Sequence, residues 1–170
     1  TKINTSLNSA YLIRCALSNL LSTSFHVNFR YTRTLSEKHP PSFSMKKYLE
    51  KIISELHQIQ GPIIIGISGF GGAGKSTFAK MLSKELEAPI VGVDSFSKSK
   101  VHENYELWDV MDFQRIESEV IQPFLSAEKT IEYGEFDWEL DHIKEKSSFE
   151  NNGLIIIEGV GLFRPSLNKY

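Results

Sequence analysis

Twelve residues, GISGFGGAGKST at positions 66–77, constrain the fold more than any other part of the chain. Five of them are glycines, and each ordered glycine costs about 0.5–1 kcal/mol relative to alanine. A cluster this dense therefore indicates that the backbone here requires glycine. The preceding residues 62–67 form a short, branched, uncharged run that predicts a strand buried on both faces. The following residues carry apolar side chains at helical spacing: Phe78, Met81, Leu82 and Leu86. The glycines are therefore predicted to form a strand-to-helix turn.

Within that turn, residues 69–76 match G-x-x-x-x-G-K-[ST] at every fixed position. Backbone N–H groups can surround phosphate oxygens where no side chain blocks their approach, and a helix N-terminus adds partial positive charge. Lys75 is expected to reach the β- and γ-phosphates, and the Ser76 hydroxyl to bind Mg²⁺. The motif predicts a nucleoside-triphosphate site formed by Gly69, Gly71, Gly72, Ala73, Gly74, Lys75, Ser76 and Thr77.

The overall composition of the chain narrows the classes of protein and of site that remain. A length of 170 residues suits one domain, and a single cysteine, Cys15, excludes an internal disulfide and a cysteine-rich metal site. The net charge of −2 gives no indication of a nucleic-acid surface. The most helical part of the first segment, residues 12–21, is interrupted by Arg14 and is no transmembrane span. We expect neither a nucleic-acid nor a membrane partner, and the oligomeric state stays open.

Residues 1–44 differ in composition from the rest. They carry five basic residues and one acidic residue, whereas the remainder carries fourteen basic and twenty acidic residues. They are also rich in Ser and Thr, which predicts a disordered extension or translated upstream sequence, with an organellar transit peptide as the alternative. Met45 then opens a predicted domain at residues 45–170. The expected location is cytoplasmic, or an organelle if residues 1–44 are a transit peptide.

From Met45 onward, apolar runs alternate between helical and strand patterns. The pattern predicts, in order, a helix at 49–59, the strand before the glycines, the helix after them, a strand at 90–93, a helix at 113–125, an extended segment at 132–138 and a strand at 154–159. Three apolar strands separated by helices indicate an α/β fold with a mostly parallel sheet.

Two carboxylates close the second and third of these strands. Ligands bind beyond the carboxyl ends of parallel strands, so Asp94 and Glu158 should converge with the glycine loop. Each carboxylate alone could be simply the first solvated residue after a strand. Together with the loop they predict a Mg²⁺ site formed by Ser76, Asp94 and Glu158, directly or through water.

Residues 45–170 resemble the uridine kinase family, within the group that includes phosphoribulokinase, bacterial pantothenate kinase and nicotinamide riboside kinase. The matching pieces are residues 66–69 leading into the glycine loop, Val93-Asp94-Ser95-Phe96, Tyr105-Glu106-Leu107-Trp108-Asp109, and Ile156-Ile157-Glu158-Gly159-Val160. The resemblance implies a P-loop NTPase three-layer sandwich and ATP-dependent phosphorylation of a small-molecule hydroxyl, most closely the 5′-OH of uridine or cytidine.

The resemblance also assigns roles. Asp94 would be the base that takes the proton of the acceptor hydroxyl, Lys75 would act on the phosphates, and Glu158 would assist the metal. Asp109 would hold ribose hydroxyls, and Phe136 would belong to a β-hairpin over the nucleoside base. Arg164, just after the third strand, is expected to be structural.

The chain departs from the family at the acceptor pocket. Ser97 stands where the nucleoside kinases usually have tyrosine, and residues 110–112 replace a usual H-P-D run. The family also continues with two further strands and an arginine-bearing lid, which lie beyond Tyr170, so we expect a partial kinase domain. The acceptor therefore has alternatives, namely pantothenate, nicotinamide riboside or another alcohol. A non-catalytic nucleotide-binding module is the alternative from another class.

Overall fold

The structure is a computed structural model that describes residues 11–17, 26–28, 41–57, 59–100, 110–167 and 170. Its strands and helices are, in chain order, β1 (Tyr11–Leu17), β2 (His26–Asn28), α1 (Pro41–Leu56), β3 (Ile63–Gly69), α2 (Lys75–Leu86), β4 (Ile90–Gly92), α3 (the consecutive segments Phe113–Arg115, Ile116–Ile121 and Gln122–Leu125), β5 (Thr130–Asp137), β6 (His142–Glu150) and β7 (Leu154–Glu158). Short 3₁₀ turns occupy Val93–Phe96 and Pro165–Leu167. None of the described helices is long and apolar enough to cross a membrane.

Five of the strands form one sheet in the order β2-β1-β3-β7-β4, and every neighbouring pair in it is parallel. The strand before the glycine loop, β3, lies at its centre, with β1 on one side and β7 on the other. Strands β5 and β6 form a separate antiparallel hairpin. The mostly parallel sheet predicted from the apolar runs is confirmed.

Helices cover both faces of the central strands. Ile64 of β3 faces a core that includes Ile116 and Phe124 of α3, whereas Ile65 faces a core that includes Ile52 of α1 and Phe78 of α2. This division follows from the alternation of side chains along a strand. The predicted three-layer α/β sandwich is confirmed. Its buried strands consist of continuous runs of branched apolar residues because helices cover both faces of the sheet.

The first 44 residues differ from their prediction where the structure describes them. Strand β1 pairs with β3 along its whole length, from Tyr11 opposite Ile63 to Leu17 opposite Gly69, instead of forming part of a disordered extension. The edge of β3 that faces away from β7 presents unpaired N–H and C=O groups, and a parallel strand satisfies them. Helix α1 begins at Pro41, so the boundary expected at Met45 falls inside a helix. Apart from β1 and β2, residues 1–40 lie outside the described residues.

Helix α3 contains a π-helical turn at Ile116–Ile121. The Gln122 N–H donates to the Glu117 carbonyl, five residues back. Pro123 has no N–H, and its ring would clash with the carbonyl four residues earlier, so a locally wider turn accommodates it. At the N-terminal end Asp112 caps the helix by accepting a hydrogen bond from the Arg115 N–H at 3.2 Å. The helix therefore keeps one buried face despite its internal proline.

Candidate active site

The glycine loop runs from the end of β3 at Gly69 to the first residue of α2, Lys75. Gly72 and Gly74 have φ values of 73° and 86°, in the left-handed region that favours glycine. A Cβ on Gly71, Gly72 or Gly74 would meet no atom within 4 Å. The backbone course thus requires two of the glycines, and the space beside the loop can accommodate an anion at its N–H groups.

The lysine of the motif is buried inside this loop. Lys75 is only 8% exposed, and its Nζ donates to the Phe70 carbonyl at 3.0 Å. Lysine is seldom buried without an ionic partner, and no carboxylate among the described residues pairs with it. A buried ammonium surrounded by loop backbone fits a site for a polyphosphate, which is the partner that the motif predicts.

The structure brings two of the three predicted metal-binding residues together. The Ser76 hydroxyl donates to Glu158 Oε1 at 3.1 Å. Ser76 lies in the first turn of α2, and Glu158 is the last residue of β7, paired with Ile67 of β3. Both are hard oxygen donors beside the phosphate loop, the donor set that Mg²⁺ prefers when it also binds phosphate and water. These residues would hold Mg²⁺.

The third predicted ligand, Asp94, lies in the 3₁₀ turn that follows β4. Gly92 of β4 pairs with Glu158, so the two carboxylates follow neighbouring strands at the same edge of the sheet. A Cβ on Gly159 would collide with Val93, which shows how closely the two strand ends pack. Asp94 is exposed, and no cluster of three His, Cys, Asp or Glu side chains that could hold a metal occurs within the described part of the chain. Asp94 is therefore solvent-exposed at the same edge of the sheet as Glu158, and its part in the predicted metal site stays a prediction.

The structure describes only one of the two residues predicted to contact the acceptor. Asp109 lies outside the described residues. Phe136 lies in β5, is buried, and meets Trp138 edge-on with ring centroids 5.4 Å apart. Trp138 is 41% exposed. Of this aromatic pair, Trp138 is the member that solvent or a ligand reaches.

A residue that the sequence reading did not single out, Arg115, joins three elements. Its Nε and Nη2 donate to the two Glu119 oxygens at 2.7 and 2.9 Å, and Nη2 also donates to the Gly134 carbonyl at 2.7 Å. The Gly134 N–H donates back to Glu119 Oε2 at 2.9 Å. A Cβ on Gly134 would collide with Ile143 and the guanidinium. The i,i+4 Arg–Glu spacing and a glycine inside a strand were the available signals.

The same guanidinium lies against the turn that carries Asp94. Arg115 Cζ is 5.2 Å from the Phe96 ring centroid, and Tyr133 of β5 stacks on that ring at 5.3 Å. Burial raises the pKa of Tyr133 above its usual 10.0. Burial opposes ionisation of Glu119, but hydrogen bonds from Arg115 and the Gly134 N–H outweigh it and lower its pKa below the usual 4.5. The hairpin and α3 therefore both contact the Asp94 turn through the Phe96 ring.

The hairpin turn makes a second connection to the segment after Asp94. Ser99 Oγ donates to Asp141 Oδ2 at 2.7 Å, and the Lys100 N–H donates to Asp141 Oδ1 at 3.0 Å. The hydrogen bond from Ser99, followed by that from the Lys100 N–H, lowers the pKa of Asp141. These bonds fix the hairpin turn beside residues 98–100.

A cavity of about 440 Å³ lies between the segment after Asp94, the start of α3 and the loop after β7. Its polar lining comprises Lys98, Asp112, Gln114, Glu117, Arg164 and Ser166. Arg164, expected to be structural, places its guanidinium 4.3 Å from the Phe113 ring centroid and also lines this cavity. The glycine loop, the Ser76–Glu158 hydrogen bond and the cavity all follow the carboxyl ends of parallel strands, where ligands of α/β sheets bind.

The parallel sheet, the glycine loop at its central strand and the helix that follows define a P-loop kinase fold. A model of the shikimate kinase family matches residues 71–135, from inside the glycine loop to β5. Among solved structures, the chain is similar to a possible uridine kinase from Bacillus stearothermophilus, with a TM-score of 0.62 and 18% identity over 75% of this chain and 77% of that chain. No curated protein sequence matches the chain. At this identity the likeness shows the fold, and the two matches name different acceptors.

Proposed function

We propose that the chain catalyses ATP- and Mg²⁺-dependent phosphorylation of a hydroxyl group on a small molecule. The observation that carries this proposal is the 3.1 Å hydrogen bond between Ser76 and Glu158, residues 82 positions apart. It supports a metal site directly beside the buried Lys75. Both similarities to known proteins are to kinases of small molecules, which favours the same reaction class.

Each residue has a stated task in this proposal. The loop N–H groups and Lys75 bind the β- and γ-phosphates and orient the transferring phosphoryl group. Ser76 and Glu158 hold Mg²⁺, which when bound neutralises charge on the phosphates. Asp94 accepts the proton of the acceptor hydroxyl as the hydroxyl oxygen bonds to the γ-phosphorus of ATP. The bond from that phosphorus to the bridging oxygen of ADP breaks, and ADP leaves. The exposed position of Asp94 at the sheet edge is compatible with contact to an acceptor.

For the acceptor, the 5′-OH of uridine or cytidine is supported by the sequence resemblance and by the likeness to a possible uridine kinase. Pantothenate and nicotinamide riboside are the alternatives within the same group of kinases. The matched family model adds shikimate as an acceptor to test.

The test is a multiple-turnover assay of ADP release with each candidate acceptor, run on the full chain and on Asp94→Asn. If Asp94 is the base, turnover falls by roughly 10²–10⁴-fold, the usual contribution of general acid–base catalysis. Affinity for MgATP changes by less than about tenfold because the hydrogen-bonding loop is intact. Glu85→Gln, which alters an exposed carboxylate on α2, is the matched control and should keep full turnover.

Two outcomes would contradict the proposal. A chain that binds MgATP but phosphorylates none of the candidate acceptors is a nucleotide-binding module. If Asp94→Asn instead abolishes nucleotide binding and leaves turnover per bound ATP unchanged, Asp94 is a metal ligand or a structural residue.

A further inference from the structure

We propose that the cavity of about 440 Å³ beside the Asp94 segment binds the acceptor through a negatively charged group. The acceptor class is then a small alcohol that carries a carboxylate or phosphate, and a neutral nucleoside is disfavoured. This inference rests on the proposed kinase function, because it narrows the substrate of that reaction. The cavity volume lies within the range of about 300–1,000 Å³ typical of small-molecule sites.

The backbone places this cavity beside the segment that follows the proposed base. Lys98 lines it, and its N–H donates to the Val110 carbonyl at 2.8 Å. The Asp112 N–H donates to the Phe96 carbonyl at 2.6 Å, and Ser97 forms a β-bridge with Met111. These contacts hold residues 96–98 against the start of α3. A molecule in the cavity therefore adjoins the short segment that begins at Asp94.

The charged side chains of the lining are not equivalent. Asp112 accepts a hydrogen bond from the Arg115 N–H, and Glu117 accepts one from the Tyr170 hydroxyl. These donors are neutral, so both carboxylates keep their charge, but one oxygen of each is already directed at a donor of the protein. Lys98 is partly buried and pairs with no carboxylate within the described residues. An anion in the cavity would give this ammonium a charge-assisted partner.

The second cation is held in place by packing. The Arg164 guanidinium lies over the Phe113 ring, and such stacking orients its planar fork of donors. With Lys98 it gives the cavity two cations, while Gln114 and Ser166 provide neutral hydrogen-bonding groups suited to hydroxyls. This combination fits a polar alcohol with one anionic end.

The first experiment measures anion binding without requiring turnover. Inorganic phosphate is titrated calorimetrically into the full chain with saturating MgADP, which occupies the glycine loop. We expect one saturable phosphate site, weakened about tenfold or more by Lys98→Met, because a charge-assisted contact is lost while the aliphatic stem is kept. Lys98→Arg should retain most of the affinity. Lys51→Met, which alters an exposed side chain of α1 on the opposite face of the sheet, should leave it unchanged.

Absence of a phosphate site in the wild type, or equal affinity in Lys98→Met, overturns the inference. MgADP binding is measured separately in each variant. A failure to bind MgADP would count against the proposed function, whereas a failure to bind phosphate beside bound MgADP counts against the cavity alone.

The second experiment compares shikimate with its methyl ester, which lacks the negative charge and is larger by one methyl group, and includes uridine as a neutral nucleoside. If the cavity selects an anion, kcat/KM for shikimate exceeds that for the ester by about tenfold or more, the size of one charge-assisted contact. Lys98→Met should remove this preference by raising KM for shikimate, with KM for ATP unchanged. Faster turnover of the ester or of uridine in the wild type would overturn the inference and leave the kinase function intact. If neither these acceptors nor cytidine, pantothenate and nicotinamide riboside are turned over, the proposed function fails and the phosphate titration alone tests the cavity.

Discussion

The two halves of the proposed active site, which we call the phosphate side and the acceptor side after their proposed roles, are built in different ways. The phosphate side is a continuous stretch of chain, in which β3, the glycine loop and the first turn of α2 follow one another from Ile63 to Ser76. The acceptor side is assembled from the Asp94 turn, α3 and the β5–β6 hairpin, which are held together by contacts such as that between Arg115 and Gly134. A local motif carries its own geometry, whereas an assembled surface depends on tertiary contacts.

This difference explains which elements the sequence predicts. The predicted strand before the glycines, the helix after them and the strand at 154–159 all occur within two residues of their expected bounds. Strand β6, His142–Glu150, was not predicted, because most of its side chains are polar and it has little apolar pattern. Strand β1 was not predicted either, because its partner, the edge of β3, lies some fifty residues away.

The residues of the candidate site also differ in how far the sequence predicts them. The approach of Glu158 to Ser76 follows from the rule that parallel strands end at one edge of the sheet. The role of Arg115 does not follow from any such rule, because its partner on the hairpin is a backbone carbonyl that no residue pattern reveals. The π-turn in α3 is visible in the sequence only as Pro123, which predicts a disturbance of the helix but not its form.

The largest expected effect tests whether tertiary contacts hold the acceptor side. Arg115→Met should lower the free energy of unfolding by about 2–3 kcal/mol, somewhat less than the 3–5 kcal/mol typical when one partner of a fully buried pair is removed. The discount reflects side chains that are 15% and 30% exposed in Arg115 and Glu119. Urea unfolding measures the change.

Lys146→Met is the matched control on the same hairpin. Its pair with Glu132 is 3.1 Å long, but the two side chains are 73% and 56% exposed, so its loss should cost less than about 1 kcal/mol. Equal losses in Arg115→Met and Lys146→Met would mean that the Arg115 contacts do not hold the acceptor side together.

A smaller effect is expected on the phosphate side, and it should appear in binding rather than in stability. Lys75→Ala should raise the Kd for ATP by about tenfold, equivalent to one hydrogen bond to a charged group, and the Kd for AMP much less. The unfolding midpoint in urea should stay near that of the wild type because the glycine turn is local. Equal losses for ATP and AMP would show that Lys75 does not reach the β/γ region.

The smallest effect concerns the pH dependence of the Arg115–Glu119 pair. Because the pKa of Glu119 is lowered below 4.5 in the folded state, its carboxylate stabilises the fold at pH values above 4.5. As the pH falls below 4.5 the unfolded chain takes up the proton first, and this contribution disappears as the pH passes the folded pKa. Wild-type stability should therefore fall more steeply below pH 4.5 than that of Glu119→Gln.

The comparison must be made between variants, because Asp137 and Asp141 also have lowered pKa values. Both therefore make the stability of every variant fall more steeply at acid pH. Glu132→Gln removes a carboxylate from the exposed pair on the hairpin and should keep the wild-type curve. If the Glu119→Gln curve superimposes on the wild-type curve across the acid range, the Arg115–Glu119 pair is not formed in solution. The acceptor side would then be held by the stacking of Tyr133 on Phe96 and by apolar packing instead.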